Sequence, residues 1–461
     1  MRAITTLLLF SLTACDKQPI EEPTLSGFVW SDDAGVLPLD RDLRAEAVKE
    51  QGEGPWSLRT AGSTSSAAWG AEGGGPTGGA ALGRRGDGSI APRPSSAPTP
   101  DVASGAQQQV GGLRAGSTDD NAAFTEYLTY LAGAYSGLGD SSGQYEALQV
   151  ADRKTIIARG ADGSPLPGAR VSVLDAETER LLWTARTLGD GRAPFYPDLY
   201  GEQSDSGEWV VQVEHSGVFE IGRWEEDGDE LSLTLDASRP AALALDVCFV
   251  IDTTGSMSDE INRIKRTLLS VTEKLTGEAE VDLRYGAVLY RDIGDEYLTS
   301  QHAFTGDIES FNTALQGIAA GGGGDGPESL NQGLAVAMGG MDWREGAAKV
   351  AFLIADAPPH MDYQDDVPYT RSALAAIHQG VRLHTVAASG LDDRGSLVFR
   401  QLAQLTRGEF IFIEYGSTAA SAADHGVTGP VASNNLDTII FEQIRDEIQG
   451  WGREPRAVTA R

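Results

Sequence analysis

Two cysteines in 461 residues, Cys15 and Cys248, leave no disulfide framework to hold the fold together. Cys248 lies in the apolar run Leu243 to Ile251 and reads as a small buried hydrophobe. Positive charge is scarce too: 36 Lys and Arg stand against 67 Asp and Glu, a formal net charge of −31. Phosphate binding needs a basic face, so nucleic acid is excluded as a partner class. The acidic excess fits solubility, a saline environment or the binding of divalent cations, and clustering of the carboxylates decides between them. The N-terminal apolar stretch Ala3 to Leu12 is too short to span a bilayer. From about Asp16 to Gly112 no sustained period exists. Stretches such as Gly73-Gly74-Gly75-Pro76 and Pro92-Arg93-Pro94-Ser95 cannot bury enough apolar surface to offset chain entropy. This reads as a flexible tether of roughly a hundred residues, with an average reach of about 50–60 Å.

What is present begins with an address. Met1-Arg2 supplies a short positive region before the apolar stretch, and Leu12-Thr13-Ala14-Cys15 follows it. That tetrapeptide resembles the lipobox of bacterial lipoproteins. The resemblance implies a signal peptide over 1–14, lipidation of Cys15 as the first mature residue, and a tether over 15–112. It also implies an extracytoplasmic place in the bacterial cell envelope, periplasmic or at the cell surface, held to a membrane by acyl chains.

Order begins near Asp119. Phe124, Tyr127, Leu128 and Leu131 recur at helical spacing and predict a short amphipathic helix. From Gln149 to about Asp236 the period changes to two, as in Val171 and Val173, in Trp209, Val211 and Val213, and in Leu231, Leu233 and Leu235. Turn signals at Asp162-Gly163, Pro167-Gly168, Gly189-Asp190-Gly191 and Asp227-Gly228 separate the runs. The segment Asp162-Gly163-Ser164-Pro165-Leu166-Pro167-Gly168-Ala169 resembles the signature of carboxypeptidase-regulatory-like β-sandwich modules. A short helix plus β-sandwich is therefore expected over 113–240, acting as a rigid spacer.

Beyond Ala241, runs of strand length alternate with helical ones. Strands are expected at Leu243–Ile251, Leu283–Tyr290, Val350–Ala355, Leu383–Ala388 and Phe410–Glu414. Helices are expected at Ile308–Ile318, Ser329–Met338, Ser372–Gln379 and Leu397–Leu405, with another whose face carries Ile261, Ile264, Leu268, Val271 and Leu275. The alternation predicts an α/β fold over 241–450, a doubly wound, mostly parallel sheet, followed by a flexible tail over 451–461. Such sheets bind ligands beyond the carboxyl ends of their strands. Three loops reach that edge: Asp252-Thr253-Thr254-Gly255-Ser256, the glycine run ending in Asp325-Gly326-Pro327-Glu328, and Asp356-Ala357-Pro358-Pro359-His360. Hard oxygen donors on short loops suit Mg²⁺, with Mn²⁺ or Ca²⁺ accepted by the same oxygens.

Asp252-x-Thr254-x-Ser256 and the two other loops, in this order, resemble von Willebrand factor A domains. Within that superfamily they are most similar to the I-like domain of integrin β subunits. The resemblance covers about 200 residues, 243–449. It implies a metal-ion-dependent adhesion site of Asp252, Thr254, Ser256, Glu328 and Asp356, in which an acidic side chain of a protein partner completes the metal's shell. Glu328 stands where most A domains have Thr, and adds a negative charge. Flanking Ca²⁺ sites are implied at Asp259 and Glu260, and at Asp292 and Asp325. The expected function is membrane-anchored capture of a protein partner, with no catalysis. The alternatives are an envelope assembly or scaffold factor with a structural A domain, and a metal-dependent hydrolase.

Overall fold

The computed structural model describes residues 112–450, apart from 140–144, 200–206, 225–227, 240–242, 276–280, 325 and 365, and two short strand pieces at 29–30 and 36–37. The signal peptide, Cys15, most of the expected tether, Asp325 and the tail fall outside the described residues. The chain divides into two compact units, 1–50 and 51–461.

In the second unit the first elements are strand β1 (Arg114–Thr118) and helix α1 (Phe124–Gly137), which buries Tyr127 and Leu131. Seven strands come next: β2 (Lys154–Gly160), β3 (Arg170–Asp175), β4 (Leu181–Arg186), β5 (Arg192–Phe195), β6 (Trp209–His215), β7 (Val218–Arg223) and β8 (Glu230–Leu235). They form one sheet of order β8-β2-β5 and another of order β4-β3-β6-β7. Period-two patterning explains the pair: Val171, Val173, Val211 and Val213 are fully buried, while their polar neighbours face out. Phe195 of one sheet packs on Trp183 and Trp209 of the other, with ring centroids 5.8 and 5.3 Å apart.

The remaining elements are β9 (Leu243–Asp252), α2 (Ile261–Leu275), β10 (Val281–Tyr290), β11 (Thr299–Thr305), α3 (Ile308–Gly317), α4 (Leu330–Ala335), β12 (Ala348–Ala355) and α5 (Tyr369–Gln379). Then come β13 (Val381–Ala387), α6 (Asp393–Leu405), β14 (Phe410–Ile413), α7 (Thr418–Asp424), β15 (Ala432–Asn435) and α8 (Leu436–Gly450). One eight-stranded sheet has the order β11-β10-β9-β12-β13-β14-β1-β15. Strands β10, β9, β12, β13 and β14 run parallel, while β11 and β1 pair antiparallel at either side of them. Buried on both faces, β9 is almost wholly apolar, with Phe249 in register between Ala287 and Phe352. Helix α2 lays Ile261, Ile264, Leu268, Val271 and Leu275 on the sheet, each stabilising by about 1.5–3 kcal/mol. Cys248 is buried without a disulfide, and burial pushes its thiol pKa up. The doubly wound sheet and the small β domain before it are thus present.

Two expectations change. Grouped by sequence with the β module, β1 instead lies inside the large sheet, with Ala115 opposite Ile413 and Arg114 opposite Asn435. Arg-Ala-Gly-Ser-Thr has no apolar alternation. Its place is set by neighbours on both sides, and by Gly116, where a Cβ would collide with the Phe412 ring. The β module is also not a spacer between tether and sheet. It is inserted between α1 and β9 and docks where β12 and β13 begin, while β1 starts at the opposite edge, beside the end of β14. Its polar contacts are Arg186 with Glu345, Thr184 Oγ1 with His378 Nδ1 at 2.8 Å, and Tyr196 Oη donating to Leu405 O at 3.2 Å, among others. Glu447 of α8 accepts from Gly189 N–H at 2.6 Å and pairs with Arg382 at 2.7 Å.

A fragment beginning at residue 241 lacks the strand between β14 and β15. It is expected to melt at least about 10 °C below the fragment 112–461 or to aggregate, as differential scanning calorimetry would show. A second prediction concerns Lys349, buried on β12, whose Nζ donates to Gln379 O at 3.0 Å. Burial, helped by the Arg186 charge, pushes its pKa down to about 7. The unfolded chain therefore holds the proton more firmly between pH 7 and the ordinary lysine value. Stability linked to this group is full above about pH 10.4 and is lost as pH falls toward 7. Lys349→Met should stabilise by about 2–4 kcal/mol at pH 7 and by much less at pH 10, read from denaturant midpoints.

Candidate functional site

The strand order reverses between β9 and β12, which opens a crevice at their carboxyl ends. Strand β9 ends at Asp252, which is fully buried and in register with Tyr290 of β10. Its Oδ1 accepts from Thr254 N–H at 2.9 Å and from Thr254 Oγ1 at 2.6 Å. A single tight turn, Gly255–Asp259, then brings Ser256 Oγ to 3.2 Å from Thr254 Oγ1. Ser256 Oγ donates to Asp356 Oδ1 at 2.9 Å, and Asp356 follows the end of β12. With their protons on the two carboxylates, both hydroxyl oxygens keep only lone pairs to offer.

The glycine loop zips onto this turn through the backbone. Gly321 N–H donates to Thr253 O and Gly255 N–H to Gly322 O, both at 3.0 Å. Gly323, at φ +72°, lies so close that a Cβ would stand 2.8 Å from Glu328 Oε1 and 3.3 Å from Thr254 Cβ. Glu328 and Thr254 thus both stand against Gly323, where only a glycine leaves them room. The Glu328 backbone also joins the third loop, donating from N–H to Pro358 O at 3.0 Å and accepting from His360 N–H at 3.1 Å. The structure thus brings Asp252, Thr254, Ser256, Glu328 and Asp356 together.

Electrostatics at the cluster is unfavourable for the bare protein. Burial, supported by the Asp356 charge, pushes Asp252 up to about 7 against the opposing bonds from Thr254. Glu328 rises to about 8, chiefly through burial and then through Asp252, Asp292 and Asp295. Asp356 rises to about 6 through burial and Glu260. Asp252 Oδ2 and Glu328 Oε2 are buried with no hydrogen-bond donor. Buried carboxylate oxygens without donors carry a large desolvation cost. Repelling carboxylates beside two hydroxyl oxygens form a donor set suited to a hard divalent cation. Among the described residues, no group of three or more His, Cys, Asp or Glu is placed to hold an ion alone. A cation here would therefore depend on Thr254, Ser256 and water.

The flanking residues have other partners. Asp259 closes the tight turn and is exposed. Glu260 is buried and accepts from Ser389 N–H at 3.2 Å, tying α2 to the loop after β13. Asp292 accepts from Ser329 Oγ at 2.8 Å and from Tyr363 Oη at 3.0 Å, steadying the segment that carries Glu328. Sequence reasoning missed two residues that set the loops. Asp295 Oδ2 accepts from Gly323 N–H at 2.8 Å and from Asp292 N–H at 3.1 Å. Arg291 reaches Thr253 O at 3.2 Å and Ala319 O at 3.0 Å, under the ring of Tyr297. The turn around Gly294 was the available signal for Asp295. Nothing local marks Arg291.

Residues 246–414 match the family model of the von Willebrand factor A domain. This stretch is a von Willebrand factor A-like domain. Its scaffold is that of a binding-type domain. Two relatives align over shorter stretches. The alpha-protein kinase vwkA of Dictyostelium discoideum is 33% identical over 138 residues, 30% of this chain and 22% of the kinase. A putative ariadne-like RING finger protein, R811, of Acanthamoeba polyphaga mimivirus is 28% identical over 116 residues, 25% of this chain and 11% of that protein. This chain thus spans about a fifth or less of each relative. Among solved structures, BatB of Bacteroides thetaiotaomicron aligns at 14% identity and a TM-score of 0.29, covering 41% of this chain and 98% of BatB. The pilus adhesin SpaC of Lactobacillus rhamnosus GG, in its open conformation, aligns at 12% identity and 0.30, covering 54% of this chain and 33% of SpaC. No helix among the described residues is long and apolar enough to cross a membrane.

Gly323→Ala should push Glu328 away from Thr254 and strain a left-handed backbone. A loss of about 1–3 kcal/mol in chemical denaturation is expected, against little change for Gly346→Ala, where a Cβ meets nothing within 4 Å.

Proposed function

We propose that the A domain binds a divalent cation at this crevice and captures a protein partner through an acidic side chain of that partner. The chain would be a non-catalytic, extracytoplasmic binding protein of the bacterial envelope, held to its membrane by lipid on Cys15. The observation that carries the reading is the pair of buried, donorless oxygens, Asp252 Oδ2 and Glu328 Oε2, beside hydroxyls whose protons are already committed. Thr254 and Ser256 offer lone pairs, Glu328 and Asp356 supply charge, and Asp252 orients Thr254 through two bonds to one oxygen. Mg²⁺, or Mn²⁺ or Ca²⁺ in its place, would neutralise the cluster and keep a coordination position for the partner's carboxylate. The glycine loop keeps side chains away from the crevice, and Asp295 holds that loop down. Flanking Ca²⁺ at Asp259 and Glu260, or at Asp292 and Asp325, belongs to the same proposal, as does the wider role in adhesion.

Calorimetric titration of Mg²⁺, Mn²⁺ and Ca²⁺ into the protein, beside Asp252→Ala and Glu328→Ala, tests it. Saturable binding should weaken at least roughly tenfold in each variant, and absence of binding in the intact protein would refute the reading. Glu328→Gln gives an independent readout. In chelator it should raise Tm by roughly 2–4 °C, because Gln spares the fold a buried carboxyl that must take up a proton on folding at neutral pH, and it should shrink the rise in Tm on adding Mg²⁺.

A further inference from the structure

The β module has one sheet edge that is covered and one that is not. At one edge of the four-stranded sheet, β4 packs on α5 of the A domain through Thr184 and His378. At the other edge, β7 pairs with β6 alone among the described residues. Natural edge strands carry protection against pairing with another chain, such as Pro, Lys, a bulge or a cover. Strand β7, Val218-Phe219-Glu220-Ile221-Gly222-Arg223, has neither Pro nor Lys, and its register with β6 is unbroken. It also exposes two large apolar side chains on one face, Phe219 at 61% and Ile221 at 45%.

The backbone fixes which groups face out. The hairpin closes with Ser216 and Gly217, at φ 53° and 78°, a two-residue turn that makes His215 and Val218 a hydrogen-bonded pair. Trp224 N–H donates to Trp209 O at 3.0 Å, in the same phase. The even-numbered residues of β7 therefore bond inward to β6. The N–H and C=O groups of Phe219, Ile221 and Arg223 point to the open edge, beside the apolar side chains.

We infer that β7 is a self-association strand, pairing antiparallel with β7 of a second copy of this chain across a two-fold axis at Ile221. Such an axis, normal to the sheet, pairs residues of the same face. With Ile221 on the axis, Ile221 meets Ile221, and Phe219 meets Arg223 twice, as cation–π pairs. Arg223 also pairs with Glu208 at 3.1 Å, an exposed contact that costs little to exchange. Glu220 then faces Gly222. Shifting the register by one pair puts Glu220 against Glu220, so the charges select the first register. A second copy fits better than an unrelated acidic or basic strand for two reasons. The strand is complementary to itself, and its one Glu and one Arg make it neutral in a chain of net charge −31 that otherwise repels its own kind.

Sedimentation velocity of the full chain tests this, with Cys15→Ser so that no acyl group drives association. A reversible monomer–dimer equilibrium is expected. Ile221→Lys, which sets two like charges on the axis, should weaken the dimer by at least about tenfold, and Ile221→Val should leave it within about twofold. Arg223→Glu removes both cation–π pairs and should weaken it as well. Unchanged Tm in these surface variants separates lost pairing from lost folding. A monomer at every concentration overturns the inference, and so does a dimer that survives Ile221→Lys and Arg223→Glu.

Discussion

The arrangement at the crevice rests on a buried carboxylate at the end of an interior strand. Asp252 has the apolar sheet behind it and accepts two bonds from Thr254 on one oxygen, leaving the other with no donor. A folded chain tolerates such a group only if the surrounding structure leaves it no alternative. Here the surroundings are rigid: β9 is hydrogen-bonded to strands on both sides, the glycine loop is tied to its last turn by backbone bonds, and the third loop is tied to that turn through Ser256 and to the glycine loop's end through Glu328. The tight turn into α2, the glycine loop and the close approach of Glu328 all serve to hold that oxygen in place. Strain concentrated in this way is the usual mark of a functional site.

Much of the large sheet was legible because its signals are local. Runs such as Val350–Ala355 and the stripe Ile261 to Leu275 have one period and one reading. The carboxyl-edge loops were legible for the same reason, since spacing within a loop fixes which side chains can meet. What escaped was set by partners far along the chain. Strand β11, Thr-Ser-Gln-His-Ala-Phe-Thr, is an edge strand with half-polar faces, and only its pairing with β10 makes it a strand. Helix α4 runs only to Ala335, because Val336–Gly340 widens into a looser turn before Met341. Around the crevice, Asp295 and Arg291 act on backbone atoms of other loops, and no residue-type pattern announces such bonds.

The polar docking of the β module has a physical cost and a use. Glu447 and Arg382 are both withdrawn from water, and each is stable there only because the other is present and Gly189 offers its N–H. Pairs of this kind contribute little net stability but discriminate strongly against misplacement. They fix the module's orientation on the A domain more than they strengthen its hold. An interface so constituted leaves the outer strands of the module, including β7, to face solvent.

The placement of β1 bears on how the chain is made. Its hydrogen-bond partners, Phe410–Ile413 and Ala432–Asn435, emerge from the ribosome roughly three hundred residues after it. The β module lies wholly between, with its own buried core and all its strand partners within 154–235. The large sheet can therefore be completed only after synthesis has reached the partners of its first strand. High contact order of this sort slows folding and lengthens the time that β14 stands with an open edge.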